Sequence, residues 1–205
     1  MEADSLSTRR KVAREAASLL YAGVEKEFKQ AKLKAANTFN TSFLPANLEV
    51  ALELDKIAEE REGPTRKERL VRMREEALKF MKLLKVYDPL LIGSVWRGTI
   101  NHDSDIDIVA YHDEPETIMN VLKQQGTRIV HAEWVSVTKK GKRKSAFHIY
   151  AESTLHEKVE IKVSSQDQAD TVERCEVYGD LIRGLQLHEL EKLLKENPTE
   201  RFLPT

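Results

Sequence analysis

Apolar residues in the first 85 positions recur at the spacing of α-helices. Residues 7–36 include one glycine and no proline, and a second segment runs from Asn47 to Gly63, a residue typical of helix ends. Thr65 and Glu68 have the spacing of a capping box and predict the start of a third helix. Its apolar positions are three or four residues apart, at Leu70, Met73, Ala77, Met81 and Leu84.

The pattern changes to β-strands after Lys85. Short strand-like runs follow in the segments VYDPLLIG, SDIDIVAY, TRIVHAEWVSV, SAFHIYAES and HEKVEIKVSS. Between the second and third runs, PETIMNVLKQQG predicts a helix with Pro115 in its first turn and Gly126 past its end. A lysine-rich turn around Gly141 predicts a hairpin between the third and fourth runs. The charged tail, from about residue 168 to 196, predicts a return to helix.

Composition excludes several classes of protein. The chain is 40% hydrophobic and 33% charged, and no apolar run approaches the roughly 20 residues that cross a bilayer. The start lacks the apolar region of a signal peptide, and the single cysteine, Cys175, can form no internal disulfide. We therefore expect a cytoplasmic protein without membrane contact. A net charge of −1 confines any nucleic-acid binding to local basic patches.

Two aspartates lie in the most strand-like segment of the chain. Because side chains alternate along a strand, Asp105, Asp107 and Val109 are predicted on one face and Ile106 and Ile108 on the other. Two carboxylates held this close resist ionising together unless a cation lies between them. Oxygen ligands favour magnesium, manganese or calcium over zinc.

An EF-hand calcium loop is the first alternative. Asp103, Asp105, Asp107 and Glu114 fall at its positions 1, 3, 5 and 12. Its sixth position requires a glycine for a sharp turn, and this chain has the β-branched Ile108 there. The sequence therefore argues against a calcium loop.

A Gly-Ser turn lies shortly before the aspartates. Gly93 and Ser94 directly follow a strand-like run, and Arg97 and Gly98 come next. A strand that turns into a helix at such a point presents backbone N–H groups and a hydroxyl to an anion. The segment GSVWRGT lacks the lysine and the spacing of a Walker loop. We expect a phosphate-binding turn beside a metal site.

GSVWRGT followed by SDIDI resembles the signature of the DNA polymerase beta-like nucleotidyltransferase superfamily over roughly residues 86–165. The resemblance implies an α+β fold with a mixed sheet flanked by helices, preceded here by a helical region at 1–85 and followed by a helical tail at 166–205. It implies two magnesium (or manganese) ions and an NTP, such as ATP, as substrate. Gly93, Ser94 and Arg97 would bind the nucleotide, and Asp105 and Asp107 would ligate both metals.

The family also uses a third carboxylate on a later strand. In HEKVEIKV the apolar residues take one face of the strand and leave Glu160 and Lys162 on the other. Glu160 is therefore our candidate for the third catalytic carboxylate, as a metal ligand. Glu152 is the alternative. Lys162 could meet the triphosphate or pair with Glu160. Trp96 is interpreted as a packing residue, His102 as a solvated one and Asp103 as a turn residue.

The resemblance implies transfer of a nucleoside monophosphate to an acceptor hydroxyl with release of pyrophosphate. The acceptor could be RNA or, as in antitoxin-like transferases, a protein. A non-catalytic nucleotide-binding regulator is the other hypothesis. The basic hairpin KKGKRK, residues 139–144, would either guide RNA phosphates or act as a solubilising loop.

Overall fold

Three helices form an N-terminal unit with its own small core. The computed structural model describes the backbone of residues 2–139 and 142–204 and the side chains of residues 7–136 and 145–204. Helix α1 spans Glu2–Tyr21, α2 spans Phe28–Thr38 and α3 spans Asn47–Glu62. Alanines dominate the contacts between them, which lets the helices approach closely. The buried residues are Val12, Ala13, Ala16, Ala17, Ala31, Ala35, Ala36, Val50 and Ile57.

The predicted helix over 7–36 is broken in the structure. Helix α1 ends at Tyr21 because Gly23, at φ +67°, takes a left-handed conformation that closes the last turn. The N–H groups of Gly23 and Val24 donate to the carbonyls of Leu20 and Leu19. The single glycine in this stretch is thus the end of one helix.

Helix α4, Pro64–Leu83, connects the helical unit to the sheet. It begins directly after Gly63, which ends α3 with a φ of +57°. The predicted apolar positions are all buried in the main core against the sheet: Leu70, Met73, Ala77, Met81 and Leu84. A short 3₁₀ turn, Lys85–Tyr87, then leads into the first strand.

The described chain contributes six strands to one mixed sheet, in the order β3-β4-β5-β2-β1-β6. The strands are β1, Leu90–Ile92; β2, Ile106–Tyr111; β3, Arg128–Lys139; β4, Lys142–Glu152; β5, Lys158–Ser164; and β6, Leu185–Gln186. Helix α5, Gly93–Arg97, lies between β1 and β2, and α6, Pro115–Gln124, between β2 and β3. The α+β fold with a mixed, helix-flanked sheet is therefore confirmed.

One parallel pair at the centre of this sheet positions the site. Strands β2 and β5 run parallel, and their register places Asp107 opposite Glu160 and Ile108 opposite Ile161. Ile106, Ile108 and Ile161 are buried in the core below the sheet. The opposite, open face carries the acidic side chains, as the alternation of residues predicted.

The C-terminal tail departs from the predicted helix. After a 3₁₀ turn at Gln166–Gln168 the chain is irregular until it adds β6 to the edge of β1, and only α7, Leu187–Glu196, is helical. Gly184 permits this pairing, because a Cβ at its position would lie 2.6 Å from Cγ of Leu90 and 2.8 Å from the carbonyl oxygen of Leu91. Among the described residues, no helix combines the length and apolar character of a transmembrane segment.

Candidate active site

Three carboxylates from two strands meet on the open face of the sheet. Asp105 directly precedes β2, Asp107 lies within it and Glu160 lies opposite on β5. One ligand oxygen from each lies within 4.8 Å of the other two. These are the three residues that the sequence nominated as metal ligands, and the parallel register of β2 and β5 brings them together.

The cluster is electrostatically unfavourable without a cation. Loss of hydration on burial, with the negative charges of Asp105 and Glu160, raises the pKa of Asp107 to about 8. Burial, followed by the charge of Glu160, also raises the pKa of Asp105. A divalent cation bound between the carboxylates would favour their ionised forms. The donor set is all oxygen, which fits magnesium or manganese.

Gly93 packs directly against the cluster. Its φ is +71°, and a Cβ built on it would lie only 1.9 Å from Oδ2 of Asp107. A residue with a side chain would therefore be strained and would displace the carboxylate. Ser94, half-buried, follows at the start of α5, so the Gly-Ser turn and the acidic cluster are adjacent.

A model of the nucleotidyltransferase domain family matches residues 71–177, which is half of the chain. The chain belongs to that family. The resemblance to the DNA polymerase beta-like superfamily, seen in the motif residues, is thereby confirmed. The matched range includes the Gly-Ser turn and all three carboxylates.

Two similar solved structures are a cytoplasmic RNA terminal U-transferase and the Cid1 poly(U) polymerase bound to MgGTP. The first is 14% identical with a TM-score of 0.33, over 58% of this chain and 34% of that chain. The second is 16% identical with a TM-score of 0.33, over 55% of this chain and 38% of that chain. This chain thus spans little more than a third of either protein. A comparison with curated proteins gave no match.

Arg97, at the end of α5, has partners within the protein. Its guanidinium is buried, at 3% exposure, and donates to both carboxylate oxygens of Asp180 at 2.7 and 3.0 Å and to the carbonyl of Phe202. It also stacks on the rings of Trp96 and Tyr178. These contacts fix α5 to the C-terminal segment, and the guanidinium group is bound by partners within the protein. The structure thus gives Arg97 a structural role, and its contact with a triphosphate stays a prediction.

Glu152 and Asp103, two other acids considered from the sequence, lie outside the acidic cluster. Glu152, the alternative third acid, is outside the cluster, paired with Arg128 at 2.8 Å and hydrogen-bonded to His156. Asp103 accepts from Lys158 at 2.6 Å. The segment after it forms strand β2 and excludes an EF-hand loop.

Two side chains beside the third carboxylate were not recognised from the sequence. His148 Nδ1 is hydrogen-bonded to Glu160 Oε1. Burial, then the nearby charge of Glu160, raises the pKa of Tyr150, which lies directly opposite Glu160 in the register of β4 and β5. Neither residue was assigned a role from the sequence. The available signal was alternation, since His148 and Tyr150 lie two apart on β4 and share the face of Glu160.

Helix α4 braces the backbone of the whole segment between the Gly-Ser turn and Asp105. Arg74 is fully buried and donates to the carbonyls of Val95 and Trp96 at 3.1 and 2.9 Å. Arg66 donates to the carbonyl of residue 100 and Arg69 to those of residues 101 and 104. Burial lowers the pKa of Arg74 to about 10, so it stays charged at neutral pH. The basic hairpin 139–144 lies outside the described side chains.

Proposed function

We propose that this protein is a divalent-metal-dependent nucleotidyltransferase. It would move a nucleoside monophosphate from an NTP to an acceptor hydroxyl and release pyrophosphate. The observation that carries the proposal is the convergence of Asp105, Asp107 and Glu160 to within 4.8 Å beside the Gly-Ser turn. Membership of the nucleotidyltransferase domain family supports the same reaction class.

Asp105, Asp107 and Glu160 would hold two Mg²⁺ or Mn²⁺ ions. When bound, such ions neutralise charge on the transferring phosphate and lower the pKa of the attacking hydroxyl. Asp105 and Asp107 extend from one strand and would contact both ions. Glu160 reaches the cluster from β5, on the side away from Gly93, and would complete the site nearer the acceptor. Its hydrogen bond from His148 would fix its orientation before substrate arrives.

The Gly-Ser turn would bind the triphosphate. Because Gly93 has no side chain, the carboxylate of Asp107 lies directly against the turn, so phosphate groups bound by the turn would be close to the metal ligands. Ser94 supplies a hydroxyl and lies in the first turn of α5, where backbone N–H groups have no partner within the helix. Positioning of this kind, rather than covalent chemistry by the protein, is the main contribution to phosphoryl transfer.

The acceptor hydroxyl would belong to RNA or to a protein. The experiment incubates the pure protein with each α-labelled NTP and Mg²⁺ or Mn²⁺, and offers tRNA, other RNA and cell-extract protein as separate acceptors. Label in one pool identifies the acceptor class. Asp105→Asn should abolish labelling, and Asp103→Asn, which changes an acid outside the cluster, should retain it. Labelling that survives Asp105→Asn would refute the proposal.

A further inference from the structure

Strand β3 forms an uncovered edge of the sheet. It stands at one end of the strand order and, in the described part of the chain, pairs only with β4. Within the same part, no turn, loop or helix makes a backbone hydrogen bond to residues 129–135. The outward N–H and C=O groups of this edge are therefore available to another strand.

Two large apolar side chains on β3 are exposed to solvent. Val130 is 65% exposed and Trp134 is 60% exposed, although the Trp134 ring contacts Phe147 of β4 edge-on at 5.4 Å between centroids. Of the large apolar residues that the structure describes, only Val86 has a higher exposed fraction. A second strand along this edge would cover part of both side chains, which is favourable at about 25 cal/mol per Å² of apolar surface.

The features that usually block edge pairing lie at the ends of β3. The ladder to β4 shifts register between Ile129 and His131, and basic residues stand at Arg128 and Lys139. Residues 131–138 contain no lysine, arginine or proline. Bulges, lysines and prolines are what natural proteins use to prevent association along a sheet edge. The middle of β3 is therefore open to a partner strand.

The middle of β3 is also complementary to itself. In an antiparallel pair of two β3 strands centred on Ala132, His131 of each copy lies opposite Glu133 of the other. The side chains of His131 and Glu133 are 58% and 51% exposed, so both can reach a partner strand. The same register brings Val130 of each copy next to Trp134 of the other. Facing pairs of this kind stabilise antiparallel strands, whereas a pairing centred on Glu133 would set two carboxylates opposite each other.

We propose that β3 pairs with β3 of a second copy of this chain, so that the protein forms a symmetric dimer about Ala132. Facing residues in an antiparallel pair share one face of the sheet, so the twofold axis is perpendicular to the sheet. The strands of both copies then form one continuous sheet, with both acidic clusters on the same side of it. This inference goes beyond the proposed function and does not depend on it.

The first measurement is sedimentation equilibrium of the full-length protein over a wide range of concentrations. Pairing along a single strand buries less surface than a standard interface, so we expect a dissociation constant on the order of 10 µM. The measured mass should rise with concentration from 23.5 kDa toward twice that value.

Substitutions on the edge should weaken this association. Trp134→Lys should do so at least about tenfold, because it replaces apolar surface with a charge at the interface. Val86→Lys is the matched control, since Val86 is 79% exposed and lies outside β3. His131→Glu should also weaken the dimer, because it faces Glu133 with a second carboxylate, and combining His131→Glu with Glu133→His should restore it. Unchanged circular dichroism would show that each variant is folded.

Ala132→Cys tests the register of the pairing, in a Cys175→Ser background that removes the single native cysteine. The two introduced thiols would meet at the twofold axis, where facing Cα atoms are about 4.5–5.5 Å apart, a distance that a disulfide spans. Mild oxidation should therefore give a covalent dimer on a denaturing gel. Val86→Cys in the same background is the control and should remain monomeric.

A dimer that Trp134→Lys and His131→Glu weaken, and that Ala132→Cys cross-links, supports the inference. A wild type that stays monomeric up to about 200 µM overturns it. A dimer that both substitutions leave intact, or that Ala132→Cys does not cross-link, has its interface elsewhere and also overturns it. None of these measurements uses nucleotide transfer, so failure of the inference leaves the proposed function standing.

Discussion

Replacing Asp107 by asparagine removes a charge while keeping the shape of the side chain. In the metal-free protein, burial and the charges of Asp105 and Glu160 raise the pKa of Asp107 from 3.8 to about 8. Across this interval the folded protein holds a proton that the unfolded chain has released. The free energy of unfolding of the wild type should therefore fall as the pH rises from about 4 to about 8, and level off above that.

The size of this effect follows from the pKa difference. About four pKa units, at 1.36 kcal/mol each, set an upper value near 6 kcal/mol. Three acids share the repulsion, so movement or protonation of one relieves the others, and we expect about 2–4 kcal/mol. Asparagine has no proton to lose. Metal-free Asp107→Asn should therefore match the wild type near pH 4 and exceed its stability by this amount near pH 8.

The assay is urea unfolding in EDTA, between about pH 4 and about pH 8, for the wild type, Asp107→Asn and the control Asp103→Asn. Mg²⁺ should then stabilise the wild type and the control in proportion to ln(1 + [Mg²⁺]/Kd), but not Asp107→Asn. The same variant should lose nucleotide transfer. The electrostatic reasoning would be refuted if the free energy of unfolding depended on pH in the same way for Asp107→Asn and the wild type. It would also be refuted if Asp107→Asn were less stable than the wild type near pH 8. Transfer retained within tenfold, a loss under about 1.4 kcal/mol, would refute the metal role.

Three further substitutions test the surrounding structure. Gly93→Ala should cost more stability than Gly23→Ala, measured by urea unfolding, because both have a positive φ but only Gly93 faces a carboxylate; equal losses would exclude that contact. Arg97→Ala should lower the free energy of unfolding by about 2–4 kcal/mol by leaving Asp180 without its partner, while calorimetry shows NTP affinity within twofold of wild type. A tenfold loss of NTP affinity in Arg97→Ala would restore its predicted nucleotide role. Ser94→Ala should weaken binding of an NTP analogue without changing thermal stability, and unchanged affinity would leave the turn without a phosphate-binding role.

The centre of the site could be predicted because it depends on local rules. Alternation along β2 places Asp107 on the face of the sheet away from the buried isoleucines. The same rule applied to HEKVEIKV identifies Glu160. Both strands lie at the middle of the sheet, where one face is buried and the register is strongly specified. Five of the six strands in the described part of the chain, and the helix starting at Pro115, were predicted from the same kind of pattern.

The errors concern contacts between distant parts of the chain. Arg97 and its partner Asp180 are 83 residues apart, and nothing local shows that this arginine would be buried. The tail was predicted to be helical from about residue 168 to 196. Only α7 is helical, and the part before it is irregular until Leu185 pairs with Leu91 at the edge of β1. The role of His148 depends on which strand neighbours β5, and this is a property of the sheet order and not of any single segment.

The arginines of α4 have a consequence for how this protein can change over evolutionary time. Arg66, Arg69 and Arg74 hold residues 95–104 through main-chain carbonyl oxygens, which every amino acid possesses. Substitution at the exposed positions of this segment, His102 and Asp103, leaves the acceptors of these bonds in place. The scaffold therefore tolerates diversity at these two positions beside the active site, whereas the buried Val95, Trp96 and Ile100 are constrained by packing.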